Sequence, residues 1–130
     1  MNEKEFLKQL VLALEEFCVH ERLLDEIRDI LKRSGNEKGF LGVLLQRLKF
    51  LGEFGVQATQ DPNFEQLEQG IYRIRIRSKS HNVRILYGFL SNQQPALLLA
   101  FHERAGHNAT DYTGKCTVAA ARLSELEGDL

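Results

Sequence analysis

The chain has 130 residues, of which 43% are hydrophobic and 27% charged, and its net charge is −1. These values fit a soluble globular domain of ordinary size. No apolar run approaches the roughly 20 residues that cross a bilayer, and the charged N-terminus lacks the layout of a signal peptide. We therefore predict one cytoplasmic domain covering residues 1–130, with no membrane segment.

Three helices are predicted from apolar residues at helical spacing. They span residues 3–19, 21–33 and 36–51. No Gly or Pro separates the first two, so one long helix also fits the pattern. Asn36 is the predicted N-cap of the third helix, and Gly39 and Gly42 weaken its first turns by roughly 1 kcal/mol each relative to alanine.

Three successive strands follow, over residues 71–77, 82–90 and 96–103. Their polar connections are typical of hairpins, so the strands should form an antiparallel meander. Residues 64–67 add a short extended segment or a helical turn. The third strand is apolar on both sides, which predicts a central position or a cover of helices. Its predicted alternation puts Leu97, Leu99 and Phe101 on one face and Ala96, Leu98, Ala100 and His102 on the other.

One face of the first strand is basic. Arg73, Arg75 and Arg77 alternate with Tyr72, Ile74 and Ile76, and strand side chains alternate between faces. The exposed face of an antiparallel strand is usually charged, so an ordinary solvent-facing strand is the plainer interpretation. The charge distribution favours a site, because residues 71–104 carry a net +5 and segments 1–34, 35–70 and 105–130 carry −2 each. Such a concentration of arginine indicates a polyanion, most simply nucleic acid.

The cysteines and histidines do not predict a metal site. Cys18 and Cys116 lie in predicted helices far apart in sequence, and we interpret them as buried apolar thiols rather than a disulfide or a metal knuckle. His102 and His107 are five residues apart, whereas a zincin helix needs ligands at i and i+4. No zinc or other cofactor is therefore expected. A polar loop, residues 104–115, precedes a final helix over residues 116–127.

Consecutive residues of the strand segment resemble a known superfamily. Gly70 leads into Tyr72-Arg73-Ile74-Arg75-Ile76-Arg77, followed by the turn SKSHN, the strand Arg84-Ile85-Leu86-Tyr87 and the stretch LLLAFHERAGHNATDY. This order is similar to the RelE/ParE toxin superfamily, and specifically to its HigB-like, phage-derived branch. The resemblance covers residues 25–127 and is strongest over residues 64–104; residues 1–20 have no counterpart.

The resemblance implies an α+β fold, in which N-terminal helices pack on an antiparallel meander of three to four strands and a C-terminal helix follows. In that scheme residues 1–20 are an extra helix, 21–55 a helical layer, 64–104 the sheet, and 105–130 a functional loop and helix. The extra helix adds a layer to the helical side, provides a dimer interface, or covers the basic face with Glu15, Glu16 and Glu21.

The resemblance also implies an activity. Active members are ribosome-dependent messenger RNA endonucleases, in which a ribose 2′-OH attacks the adjacent phosphate without a metal. The candidate catalytic residues are Arg73, Arg75, Arg84, His102, Arg104, His107 and Tyr112, and the further RNA contacts are Arg77, Lys79 and Lys115. Arg84 would be the main clamp on the transition state. His102 or Arg104 fills the loop's basic position and His107 or Tyr112 the acid/base part, unless these are a capped strand-end histidine and solvated loop side chains.

The expected partners are a small antitoxin, often with a helix-turn-helix, and the ribosome with its message. Two alternatives remain open. One is a non-catalytic binding module on the same scaffold, such as a gyrase-inhibiting toxin of the ParE branch or a domesticated regulator. The other is an unrelated structural or interaction protein, which the acidic pI of about 6.4 favours because ribosome-binding toxins are usually basic.

Overall fold

The structure, a computed structural model, describes residues 1–79, 81–103 and 111–128. The elements, in chain order, are α1 Glu3–Leu14, β1 Cys18–Val19, α2 Leu23–Leu31, α3 Glu37–Phe54, a 3₁₀ helix Gly55–Gln60, β2 Phe64–Gln66, β3 Tyr72–Ser78, β4 His81–Phe89, β5 Pro95–His102 and α4 Tyr112–Gly128. None of the helices in these ranges is long and apolar enough to cross a membrane.

The strands form one mixed sheet in the order β1-β5-β4-β3-β2. β2 to β5 pair antiparallel, which confirms the predicted meander and the α+β class, and residues 64–66 are a strand rather than a helical turn. β1 was not predicted; it pairs parallel to β5, with Cys18 opposite Ala96. The predicted first helix begins at Glu3 as expected but ends at Leu14 rather than at residue 19. The single long helix is wrong, because backbone groups of residues 18–20 bond to the sheet edge.

Helices cover the two faces of the sheet unequally. α1, α2 and α3 pack on one face, where they bury Ile74 and Ile76 of β3 in the larger apolar core. α4 packs on part of the other face through Cys116 and Ala119. α1 lies against α3 and so adds a layer on the helical side; the alternative that it covers the basic face is wrong.

A β-bulge changes the faces of β5. Leu86 and Tyr87, consecutive on β4, oppose Leu99 and Leu97, so Leu98 is an extra residue in the ladder. Leu98 and Leu99 both join the core under α4, while Ala100 returns to the core under α1 to α3. The simple alternation predicted for this strand is therefore wrong beyond Leu98.

A tight turn joins β2 to β3. Gln69 and Gly70 have φ of 58° and 73°, and the Ile71 amide donates to the Glu68 carbonyl at 3.0 Å. Positive φ at both central residues is the requirement of a type I′ turn, in which glycine is favoured. This geometry explains the glycine that leads into the arginine strand.

The start of α3 is tied to the β3–β4 hairpin. Asn36 occupies the predicted N-cap position, yet its side chain makes no capping bond. Its Nδ2 instead donates to the Ser78 carbonyl at 2.6 Å and to His81 Nδ1 at 3.1 Å. The helix is thus oriented by the hairpin rather than by a local cap.

This contact predicts opposite effects for two glycines of α3. A Cβ at Gly39 would lie 2.9 Å from Ser78 Oγ and 3.0 Å from Asn36 Oδ1, whereas nothing lies within 4 Å of one at Gly42. Gly39→Ala should lower the free energy of unfolding by about 1–2 kcal/mol through overpacking, and Gly42→Ala should raise it by about 0.5–1 kcal/mol. Urea unfolding of both variants checks this. Equal changes in the free energy of unfolding would show that Ser78 and Asn36 move aside without cost.

The two cysteines lie in different surroundings. Cys116 is buried in α4, while Cys18 is half-buried in β1 and not in the predicted helix. Both thiols are free, and burial raises the pKa of each. The interpretation as a buried thiol therefore holds for Cys116 and only in part for Cys18.

Candidate functional site

The arginine face is the sheet face that carries Arg73, Arg75, Arg77 and Arg84, opposite the α1 to α3 layer. Its side chains stand in rows across the strands, because residues paired in register share a face. One row runs from Asn63 before β2 through Arg75 and Arg84 to Phe101 on β5. Glu65, Arg73 and Leu86 form the neighbouring row.

Arg75 and Arg84 are directly opposite each other on β3 and β4. Like charges in this arrangement repel, and a sheet normally avoids them unless each finds a partner or an anion lies between them. Arg75 Nε donates to Asn63 Oδ1, a neutral partner, at 3.3 Å, and no carboxylate of the described residues pairs with it. The pair is therefore a local excess of positive charge.

Arg84 is buried, with 4% of its side chain exposed. Its Nη2 lies 2.8 Å from Glu103 Oε2, and its Nη1 donates to Asn82 Oδ1 and, at 3.4 Å, to the Val83 carbonyl. Burial lowers the pKa of Arg84 and the charge of Glu103 opposes that shift. The guanidinium is thus held rigidly, at the end of the sheet where β5 leaves it.

Carboxylates offset part of the basic charge. Glu65 on β2 pairs with Arg73 at 3.0 Å, and Glu103 follows β5. The net +5 of residues 71–104 overstates the charge of the face, because it omits Glu65, which the fold brings in from the neighbouring strand.

Tyr112 is the first residue of α4, not a loop residue as predicted. Asp111 caps this helix, accepting from the Gly114 amide at 2.8 Å, and the Tyr112 ring packs edge-on against Phe101 at 5.7 Å between centroids. Burial raises the pKa of the Tyr112 hydroxyl; the negative charge of Glu103 adds to the shift and Arg84 opposes it. The hydroxyl therefore stays protonated at neutral pH and can donate a proton.

Three buried polar groups of this cluster have no hydrogen-bond partner among the described residues. They are Arg73 Nε, Arg84 Nε and the Tyr112 hydroxyl. Nearly all buried polar groups in proteins are paired, and an orphan donor points to a ligand or a catalytic role. Three donors on one face suit an anion with several oxygens, such as a phosphate.

The other predicted site residues are placed as follows. His102 is opposite Val83 on the register that faces the α1 to α3 layer, and its ring lies against His81, so the structure does not bring it onto the arginine face. Arg77 and Lys79 are exposed near the β3–β4 turn. Lys115 Nζ lies 5.1 Å from the centre of the Phe101 ring, beside the cluster. Arg104 and His107 lie outside the described residues.

Sequence reasoning missed the acidic partners of the site. In the sequence, Glu103 is the lone carboxylate of the basic segment 71–104, and its position two residues after Phe101 puts it on the arginine face. Strand alternation could have found it. Glu65 could not have been found, because its pairing with Arg73 depends on the β2–β3 register. In the described part of the chain, no group of three or more His, Cys, Asp or Glu could hold a metal ion.

Fold and site together define a class: a helical layer on one face of a small sheet and clustered arginines on the other, compatible with the RelE-like fold. The family model of the phage-derived protein Gp49-like family (DUF891) matches residues 36–113, more than half of the chain. The chain therefore belongs to the Gp49-like family, a RelE/ParE-like toxin family. No curated protein matches it. The match includes β3, β4, β5 and Tyr112, and leaves out α1, β1 and α2.

Proposed function

We propose that this chain is the toxin of a type II toxin–antitoxin pair, of the HigB-like branch, and that it cuts messenger RNA on the ribosome. Family membership supports the toxin class. The observation that carries the nuclease assignment is the set of three orphan donors, Arg73 Nε, Arg84 Nε and the Tyr112 hydroxyl, on one face. A ribosome-bound message as substrate implies action in the cytoplasm.

The reaction needs no covalent intermediate with the protein. A ribose 2′-oxygen forms a bond to the adjacent phosphorus, the bond from phosphorus to the 5′-oxygen breaks, and negative charge builds on the phosphate oxygens. Arg84 and Arg73 stabilise that charge, and Arg75 holds a neighbouring phosphate about 7 Å from the first along the strand. Arg77, Lys79 and Lys115 contact the RNA backbone, as basic side chains do without reading sequence.

Tyr112 donates the proton that the leaving 5′-oxygen takes up. Tyr112→Phe removes a buried hydroxyl that lies near Arg84 and Glu103 but makes no hydrogen bond of good geometry with any described residue, so the free energy of unfolding should change by less than about 1 kcal/mol. Cleavage should slow by about 10²–10⁴-fold, the usual contribution of a general acid. Single-turnover cleavage and urea unfolding of the same preparation test this. Wild-type cleavage by the variant would assign proton donation to another group, with Arg104, His107 and His102 tested next.

The partners follow from this proposal. A small antitoxin, often of the helix-turn-helix type, would neutralise the protein by covering the arginine face, and the ribosome would present the message to it. α1, which lies outside the family match and packs on the opposite side, leaves that face open for both. A homodimer through α1 is a further proposal.

A second candidate is a non-catalytic binding module on the same fold, such as a gyrase-inhibiting toxin. The carboxylate pairs favour it, since Arg73 and Arg84 each have an internal partner and so could serve as fixed structural cations. Such a module would need the charge of the face but not the Tyr112 hydroxyl.

Induced expression in a bacterial host separates the candidates, with growth and the cut sites of ribosome-bound messages as the two readouts. Arrest with cuts at fixed codon positions, lost in both Arg75→Glu and Tyr112→Phe, supports the endonuclease. Arrest without cuts that survives Tyr112→Phe but not Arg75→Glu supports the binding module. A folded product that causes neither arrest nor cuts contradicts both. Arg28→Glu, on α2 and away from the face, is the matched charge-reversal control.

A further inference from the structure

Glu103 occupies the position at which the arginine face would receive a phosphate. Its Oε2 lies 2.8 Å from Arg84 Nη2, and 21% of its side chain is exposed, against 4% for Arg84. The more exposed partner of this ion pair can turn toward solvent, whereas Arg84 is held by Asn82 and Val83. A displacement of Glu103 therefore leaves the guanidinium in place.

A carboxylate and a phosphate present the same pattern of oxygens to a guanidinium fork. The carboxylate of Glu103 pairs with Nη2 of Arg84, while the buried Nε of Arg84 and the Nε of Arg73 have no hydrogen-bond partner in the part of the chain that the structure describes. An RNA phosphodiester carries the same single charge as a carboxylate, but a second negative charge develops on its oxygens as the 2′-oxygen bonds to phosphorus, so it can engage donors that one carboxylate does not. Glu103 is thus an incomplete occupant of a phosphate site.

Glu103 is also placed to accept a proton. Tyr112 cannot do so, because burial and Glu103 raise the pKa of its hydroxyl and keep it protonated. The other described carboxylate of the face, Glu65, is 54% exposed and pairs with Arg73 on the β2 side. His102 projects from the opposite face of β5. Among the described residues, Glu103 is the proton acceptor closest to Arg84.

We propose that Glu103 occupies the phosphate-binding position beside Arg84 in the free protein. When the substrate phosphate displaces it, Glu103 accepts the proton of the attacking 2′-hydroxyl. This step rests on the proposed endonuclease function. The 2′-O–H bond breaks and its proton moves to the Glu103 carboxylate as the 2′-oxygen bonds to phosphorus. The 5′-oxygen leaves with the proton of Tyr112, and the product carries a 2′,3′-cyclic phosphate. The ion pair thus keeps the site closed to weak anions and supplies the base once RNA is bound.

The first test measures binding of inorganic phosphate to the free protein, by NMR titration at constant ionic strength. Glu103→Gln should bind phosphate about 10-fold more tightly than wild type, because the carboxylate that competes with phosphate for Arg84 is removed. Glu53→Gln, which removes the same charge from the exposed side of α3, should bind as wild type. Equal affinity of Glu103→Gln and wild type would overturn the displacement.

The second test measures single-turnover cleavage of message on ribosomes at saturating protein. Glu103→Gln should be about 10²–10⁴-fold slower than wild type, although no carboxylate then competes with phosphate for Arg84. Glu103→Asp, which keeps the charge and guards against a folding defect of the amide, should be slow but faster than Glu103→Gln. Cleavage by Glu103→Gln at or above the wild-type rate would overturn the proton transfer and leave a purely inhibitory contact. If wild type does not cut at all, the endonuclease function falls and the proton transfer with it, while phosphate binding still decides the displacement.

Discussion

Changing Arg84 to lysine is expected to slow message cleavage by about 10²–10³-fold, the effect of losing one preorganised donor to a developing negative charge. Lysine keeps the positive charge next to Glu103, so the ion pair survives. It lacks the planar fork, and a single ammonium cannot replace the two nitrogens Nη2 and Nε at one phosphate. The measurement is the single-turnover rate on ribosome-bound message, with the free energy of unfolding from urea titration of the same sample.

The fold should tolerate this change. Loss of the hydrogen bond from Arg84 to Asn82 should lower the free energy of unfolding by about 1 kcal/mol. Arg28→Lys makes the same chemical change at an ion-paired arginine of α2, on the other side of the protein, and should leave cleavage unchanged. An Arg84→Lys protein that cuts as fast as wild type would assign Arg84 a structural role and shift the phosphate clamp to Arg73 or Arg75.

Local pattern is sufficient to predict the centre of this fold. The period-two alternation of β3 and β4 is strong because each strand has one apolar face, and the turn residues between them are polar. The same alternation is enough to predict the arginine face, with Arg73 and Arg75 on one strand and Arg84 on its neighbour. These are interactions between neighbours in sequence or across one hairpin, for which local chemistry decides the register.

Long-range pairing decides the features that local pattern does not predict. β1 has two residues, and its partner Ala96 lies far along the chain, so no local pattern could have marked Cys18 as a strand residue. β5 is apolar on both faces, and a one-residue bulge at Leu98 leaves no trace in such a sequence. The ion pairs of Glu65 and Glu103 likewise exist only once strands are side by side.

The start of α4, in contrast, is marked by a local sequence signal. Asp111 caps the helix through the Gly114 amide, and an Asp before a helical run is a recognised start signal. The polar composition of residues 104–115 nevertheless predicts a loop. The difference affects the site, because the helix start carries Tyr112 next to Arg84.

A largely buried ion pair between α2 and α4 should stabilise the framework of the site. Arg122 Nη2 lies 2.9 Å from Glu26 Oε2, with 9% of the Arg122 side chain and 24% of the Glu26 side chain exposed. Arg122 Nη1 also donates to Glu26 Oε1 and to the Leu98 carbonyl, both at 2.9 Å. The Ala100 amide donates to Glu26 Oε1 at 3.1 Å. The pair therefore binds the backbone of β5 at and after its bulge.

Glu26→Ala is expected to lower the free energy of unfolding by about 3–5 kcal/mol, because it leaves the Arg122 cation buried without an anion. The matched control is Asp25→Ala on the same helix. Asp25 pairs with Arg28 at 3.4 Å with 65% of its side chain exposed, and a surface pair of this kind contributes less than about 1 kcal/mol. Urea unfolding measures the free energy of both variants, provided that its slope against urea concentration is the same as in the wild type.

The double variant Glu26→Ala/Arg122→Met separates the penalty of an unpaired charge from the loss of contacts to β5. Without the cation, the double variant should be more stable than Glu26→Ala alone, although the Leu98 carbonyl and the Ala100 amide still lack partners. If Glu26→Ala is no more destabilising than Asp25→Ala, water reaches Arg122 and the pair does not anchor α4. If it destabilises as expected, the same contact that holds β5 and α4 together also fixes the distance between Glu103, which follows β5, and Tyr112, which begins α4.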